Sequence, residues 1–290
     1  MARLNRAAIA TNPAGPATSS AAISPEPSHA ILAPDLADAP ARRGPLRIED
    51  AAPGRAVERS DGGAYWLIER RLADIAPHCN LFIRRYSELL TSKALIVPQG
   101  THRHLAEFVE CDPRRVIYLD IETTGLSGCP LFLVGAMGFD GDGFILRQYF
   151  ARDYAEERHL LGDFADALAA FEMLVTFNGR AFDVPYVRDR ATVNRLTVAW
   201  PPRHLDLLPE SRRRWARAFP NCKLATLEQL ICRRHRVDDI PGAEIPAVYH
   251  EFVHTKDASK MRSVIHHNAL DLVTMAELAL FMITGQKDWD

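Results

Sequence analysis

The stretch Val116-Ile117-Tyr118-Leu119-Asp120-Ile121-Glu122-Thr123-Thr124-Gly125-Leu126 runs four apolar, strand-favouring residues into two carboxylates before Thr-Thr-Gly breaks the pattern. Side chains two apart on a strand share a face, so Asp120 and Glu122 are expected side by side at a strand's end. Two like charges held that close are costly unless cations neutralise them. Mg²⁺ and Mn²⁺ are the hard divalent ions that carboxylate and water oxygens suit. Asp-x-Glu alone is too short to name a site, so its company decides.

Downstream, residues 131–139 are apolar enough for a central strand, Asp140-Gly141-Asp142-Gly143 is a tight-turn signal, and residues 144–150 read as the returning strand. Three consecutive antiparallel strands are therefore expected. Leu160, Leu161, Phe164, Leu168 and Phe171 then recur at helical spacing. Residues 173–177 form a short apolar run, most simply a buried strand, ending at Asn178-Gly179-Arg180-Ala181-Phe182-Asp183. A helix over 184–195, a strand over 204–208 and a closing helix through His266-His267-Asn268-Ala269-Leu270-Asp271 complete the reading. Three antiparallel strands followed by strand–helix alternation imply an α/β fold with a mixed sheet and flanking helices.

Upstream, residues 1–44 are dense in alanine and proline and hold no aromatic residue, which predicts a disordered tail. Residues 45–112 contain a Gly62-Gly63 turn signal and a strand-like run after it, and are expected as a small lead-in subdomain. The main domain is expected over residues 113–285. Five scattered cysteines without a Cys-x-x-Cys pair argue against a disulfide framework or structural zinc and suit a reducing cytoplasm. No apolar run approaches a membrane span, and the N-terminus lacks the compact apolar core of a secretory signal. A net charge of −2 excludes a uniformly basic nucleic-acid binder, yet residues 203–236 hold nine basic residues against three acidic ones. Such a run, interleaved with Trp215 and Phe219, is either a solvated helical face or a phosphate-contact surface.

Three signals now stand in one order: Asp120-x-Glu122, then Asn178 through Asp183, then a histidine about one turn before Asp271. That order resembles the DEDD superfamily of 3′-to-5′ exonucleases, which has a ribonuclease H-like fold. More narrowly, Asp-Ile-Glu-Thr-Thr-Gly-Leu, Phe-Leu-Val-Gly, Asp-Asp-Ile-Pro-Gly and His-Asn-Ala-Leu-Asp are similar to strings of the bacterial YprB-type ribonuclease H-like proteins. The resemblance covers about residues 45 to 281 and implies a two-metal-ion nuclease acting on phosphodiester bonds at single-stranded 3′ ends. Asp120, Glu122, Asp183 and Asp271 would hold two divalent cations, Mg²⁺ or Mn²⁺, and a histidine would be general base to the attacking water. Thr123 and Leu126 would touch the terminal nucleotide, and Asn178 would support it or simply terminate its strand.

The third motif admits two histidines. His266 fits the five-residue spacing of one family version, and His267 the four-residue spacing of the other. A residue four before Asp271 sits about 40° around a helix from it and one five before about 140°, at ~100° per residue, so His267 is expected as the base with His266 its rival. Nucleic acid, DNA or RNA, is the expected partner, with Arg212, Arg213 and Arg214, and the Arg233-Arg234 pair, expected on phosphates. The competing class is a non-catalytic nucleic-acid-binding module on the same fold.

Overall fold

The computed structural model describes residues 44–285 apart from 61, 77–78, 92–101, 127 and 237–238; the expected tail therefore lies outside the described residues except for Gly44. Among these residues seven strands form one sheet: β1 (Arg55–Glu58), β2 (Ala64–Arg71), β3 (Val116–Thr123), β4 (Leu131–Phe139), β5 (Phe144–Phe150), β6 (Met173–Thr176) and β7 (Arg203–Asp206), in the order β1-β2-β5-β4-β3-β6-β7. β3, β4 and β5 run antiparallel, while β6 and β7 run parallel to β3, as the mixed sheet required. Asp140 makes the β4–β5 turn by accepting the amides of Asp142 (3.0 Å) and Gly143 (2.9 Å), and Gly141 supplies the positive φ of 111°.

The lead-in stretch builds onto the same sheet. The β1–β2 hairpin turns at Gly62-Gly63, and β2 then pairs along β5 from Trp66↔Phe150 to Arg71↔Ile145. Its partner strand lies some eighty residues on, out of reach of local sequence signals.

Among the described residues ten α-helices flank the sheet: α1 (Ile48–Ala51), α2 (Leu72–Ile75), α3 (Asn80–Thr91), α4 (Arg103–Glu110), α5 (Glu157–Leu168), α6 (Asp183–Val193), α7 (Leu207–Trp215), α8 (Leu224–Leu230), α9 (Ile245–Thr255) and α10 (Met261–Thr284). Strand alternation sorts the core. Val116, Tyr118, Met137, Leu146, Val175 and Leu205 join apolar residues of α3, α4, α7, α8 and most of α10. Ile117, Leu119, Ile121, Val134 and Leu174 join α5, α6 and α9. Asp120 and Glu122 continue the Tyr118 row, so they share the sheet face on which α10 lies. α10 is apolar nearly all round and correspondingly buried, which fixes it firmly across that face. Among the described residues no helix is long and apolar enough to cross a membrane, and the cysteines form no disulfide.

Candidate active site

Asp120 lies opposite Gly135 on β4, and Gly135 lies opposite Gln148 on β5. Asn268 of α10 rests on this row: its amide nitrogen donates to Asp120 Oδ2 (2.8 Å), and its oxygen accepts from Gln148 Nε2 (2.9 Å). Gln148 also donates to the carbonyl of Ile265 (2.7 Å), so a polar chain through the fully buried Gln148 and Asn268 locks α10 to the sheet at the first carboxylate. The approach is possible because residue 135 is glycine. A Cβ there would stand 2.1 Å from Asn268 Oδ1. Gly135→Ala is expected to cost about 1–3 kcal/mol by overpacking and to loosen α10, read as a lower urea midpoint with an unchanged slope.

The second segment is organised by a residue that sequence reasoning passed over. Asp206, buried at the end of β7, accepts the backbone amides of Asn178 (2.8 Å), Arg180 (3.1 Å) and Leu208 (3.1 Å). Asn178 takes a left-handed φ of 67°, and a Cβ on Gly179 would meet Thr176 Oγ1 at 2.4 Å. Bent in this way, the chain delivers Asp183 to the buried first turn of α6.

Asp120, Glu122, Asp183 and Asp271 thus converge from β3, α6 and α10. Burial, then the charges of Asp271, Glu122 and Asp183, push the Asp120 carboxyl well above the usual range, against the opposing Asn268 hydrogen bond. Burial raises Glu122 to about 8, with His267 partly opposing and Asp271 and Asp183 reinforcing. Burial likewise raises Asp183 to about 7, with Asp206 adding to it.

His267 Nε2 lies 3.6 Å from Asp271 Oδ2, and its Nδ1 lies 2.8 Å from Asp239 Oδ1. Burial alone would lower its pKa, but the Asp239 hydrogen bond and the charges of Asp271 and Glu122 raise it. Burial lowers His266 to about 4, and the charges of Arg236 and Arg70 act in the same sense. Arg236 ion-pairs with Asp271, Glu228 (2.6 Å) and Asp239 (3.4 Å) with little of its side chain exposed. Among the described residues no group of three Asp, Glu, His or Cys side chains is already set at metal-binding geometry, although these four carboxylates lie near enough to feel one another's charge. Asp271 leans on Arg236 and Asp120 on Asn268 instead. The donor set nevertheless fits a hard divalent ion: four carboxylates, and burial and neighbouring negative charge disfavour the charged forms of Asp120, Glu122 and Asp183.

A cleft of about 530 Å³ opens beside these groups, lined by Asp120, Asp271, Asn178 and Arg212 among others. Leu126 is 84% exposed, while Thr123 is buried with its hydroxyl donating to Gly125 O (2.8 Å). Tyr186 pins the loop after Thr123 by donating to Cys129 O (2.8 Å). The basic run divides. Arg213 pairs with Glu210, and Arg214 donates to the Met282 carbonyl. Arg234 is buried between Glu228 (3.1 Å) and Glu277, which corrects its expected role on phosphate: no solvent-facing charge is left. Asn268 and Asp239 stand inside the His-Asn-Ala-Leu-Asp and Asp-Asp-Ile-Pro-Gly strings, the one signal that could have flagged them.

A family profile described as "RNase_H superfamily" matches residues 117–283, more than half of the chain. A curated relative, the "Uncharacterized protein YprB" of Bacillus subtilis, is 31% identical over 172 residues, 58% of this chain and 41% of that protein. The chain thus spans about two fifths of the length of the curated relative it matches. The family B DNA polymerase from the archaeon Pyrobaculum calidifontis superposes with a TM-score of 0.47 at 19% identity, covering 58% of this chain and 24% of the polymerase chain.

Proposed function

Because the chain belongs to the RNase H superfamily, we propose that it is a divalent-metal-dependent nuclease that trims single-stranded nucleic acid from the 3′ end. The observation that carries this reading is the convergence of Asp120, Glu122, Asp183 and Asp271 beside a histidine whose far nitrogen is held by Asp239. The four carboxylates would hold the ions. Mg²⁺ or Mn²⁺ bound there would supply Lewis-acid stabilisation of the charge that builds on the phosphate and on the departing oxygen.

The chain's own side chains supply the rest. Asp239 accepts the Nδ1 proton of His267, which leaves Nε2 free to take a proton from the attacking water. The water oxygen bonds to phosphorus, the bond from phosphorus to the 3′-oxygen of the preceding nucleotide breaks, and that oxygen leaves with the bonding pair and takes a proton from solvent to become an alcohol. Asn268 holds Asp120 in place, and Asp206 holds the Asn178–Asp183 turn. Exposed Leu126, with Thr123 behind it, meets the terminal nucleotide, and Asn178 lines the cleft that receives it. Thiols without disulfides fit a reducing cytoplasm.

One observation favours a second reading, a nucleic-acid-binding module without catalysis: Arg236 already neutralises Asp271. Incubation with 5′-labelled single-stranded DNA and RNA in Mg²⁺, Mn²⁺ or EDTA separates the two. A ladder of labelled products shortening from the 3′ end, present with either ion and absent in EDTA, is the expected result. Retention of the strand without cleavage would leave the binding module standing, and equal turnover in EDTA would exclude the metal mechanism.

A further inference from the structure

Arg213, Arg214, Arg234 and Arg236 of the basic run are spent on the protein itself, but two cations in the cleft are not. Arg212 on α7 and Lys223 just before α8 are exposed, and among the described residues neither side chain makes an ion pair or a hydrogen bond. Both line the cleft that Asp120 and Asp271 line. Opposite charges sharing one cleft would ordinarily pair. Here Asp271 takes its cation from Arg236, whose guanidinium is in turn held by the buried Glu228, and Asp120 takes its donor from Asn268. The cleft therefore keeps two uncompensated positive charges next to a carboxylate centre whose own partners come from within the fold.

The remaining lining matches one nucleotide unit. Phe177 and Leu208 offer apolar surface for a sugar or base, Asn221 adds an exposed amide, and the volume of about 530 Å³ lies within the range of small-molecule sites. An anion is required by Arg212 and Lys223, an apolar ring system suits Phe177, and a phosphodiester is what the carboxylate centre would act on.

We propose that Arg212 and Lys223 form a subsite for the backbone phosphate adjoining the one that is cut, so that the ligand is a strand of at least two phosphodiesters held without reading base edges. This rests on the nuclease reading above. It also separates two neighbours on one helix: Arg212 faces the strand, whereas Arg213 is committed to Glu210.

The test is fluorescence anisotropy of a 5′-fluorescein-labelled single-stranded oligothymidylate of twelve nucleotides, titrated with the full chain in EDTA to prevent turnover, over a KCl series. The variants are Arg212→Gln, Lys223→Gln, their combination, and Arg213→Gln and, on the far edge strand β1, Arg55→Gln as controls, with melting temperatures recorded for each. The double variant is expected to bind more weakly at low salt and to flatten the log–log salt slope by about 1.4, or about 0.7 per contact on a single strand, while both controls keep the wild-type slope. A wild-type chain that binds while the double variant keeps its slope, or a control that loses as much, overturns the subsite and leaves the nuclease reading intact. A wild-type chain that binds no oligonucleotide at any salt overturns the subsite, and the cleavage assay in Mg²⁺ or Mn²⁺ decides the nuclease reading separately.

Discussion

Asp120→Asn is expected to abolish cleavage while leaving the ion-free protein more stable than wild type. The activity loss follows from removing one of four carboxylates at the reaction centre. Several kcal/mol of charge stabilisation are at stake there, and 1.36 kcal/mol is a factor of ten, so a fall of about 10³-fold or more is expected. The stability gain has the opposite sign because Asp120 is held where burial and three neighbouring carboxylates oppose its charge. Asparagine carries no charge and can still accept the Asn268 hydrogen bond through its own carbonyl oxygen.

The pH dependence has a definite direction. Glu122 keeps its proton to about 8 and Asp183 to about 7 in the folded chain, against ordinary values of 4.5 and 3.8. Folded protein thus binds more protons than unfolded protein from about pH 4 to pH 8. Stability contributed by the protonated forms is full below the ordinary values and is lost as pH rises through the folded ones. Divalent ions favour the deprotonated folded state, so the melting-temperature gain from Mg²⁺ or Mn²⁺ should be larger at pH 8 than at pH 6. In Asp120→Asn the ion-free pH dependence should flatten and the ion-induced gain shrink. Calorimetry with and without EDTA reads all of these. An Asp120→Asn variant that cleaves at the wild-type rate, or a melting temperature indifferent to the ions at both pH values, would sink the assignment of the centre.

His267→Ala is expected to slow the chemical step by roughly 10²–10⁴-fold, and His266→Ala to leave it near wild type. His267 stands between Asp239 at 2.8 Å and Asp271 at 3.6 Å, an arrangement that orients the ring and aims Nε2 at the carboxylate cluster. For His266, burial and then the charges of Arg236, Arg70 and His267 outweigh the opposing charge of Asp239 and keep the ring neutral. Asp239→Asn should reproduce a share of the His267→Ala defect in kcat with little change in KM, because the ring loses its acceptor rather than its substrate contacts. Single-turnover cleavage at saturating metal across pH decides the matter. Loss of the acid limb in His266→Ala, with His267→Ala near wild type, would transfer the role to the other histidine.

The parts of this site legible in the sequence were those with a short period. Alternation on β3 places Asp120 and Glu122 on one face, and an interval of four on α10 brings His267 to Asp271. The parts that were not legible depend on partners far along the chain. Gln148 reads as an ordinary polar strand residue until register sets it beside Gly135 and Asn268. Asp206 reads as the end of a strand until three distant amides turn toward it. Charge counting over the basic run shows an excess of positive residues but not which ones Glu228, Glu277 and Glu210 consume. α9 went unread because only Pro246 in its first turn marks its start, beyond a loop-like Asp-Asp-Ile-Pro-Gly string.

The hydrogen bond between Asn268 and Asp120 spans 148 positions of the chain, and this bears on how the protein comes into being. During synthesis the strands from β1 to β7 are all made before α10, and folding proceeds from the N-terminal side. Until α10 docks, Asp120 lacks both its anchoring amide and its third carboxylate neighbour, Asp271. Closing so long a loop is also the slow kind of contact to form. A nascent or truncated chain therefore holds the sheet's acids apart from Asn268 and Asp271, and the four carboxylates meet only when α10 is in place.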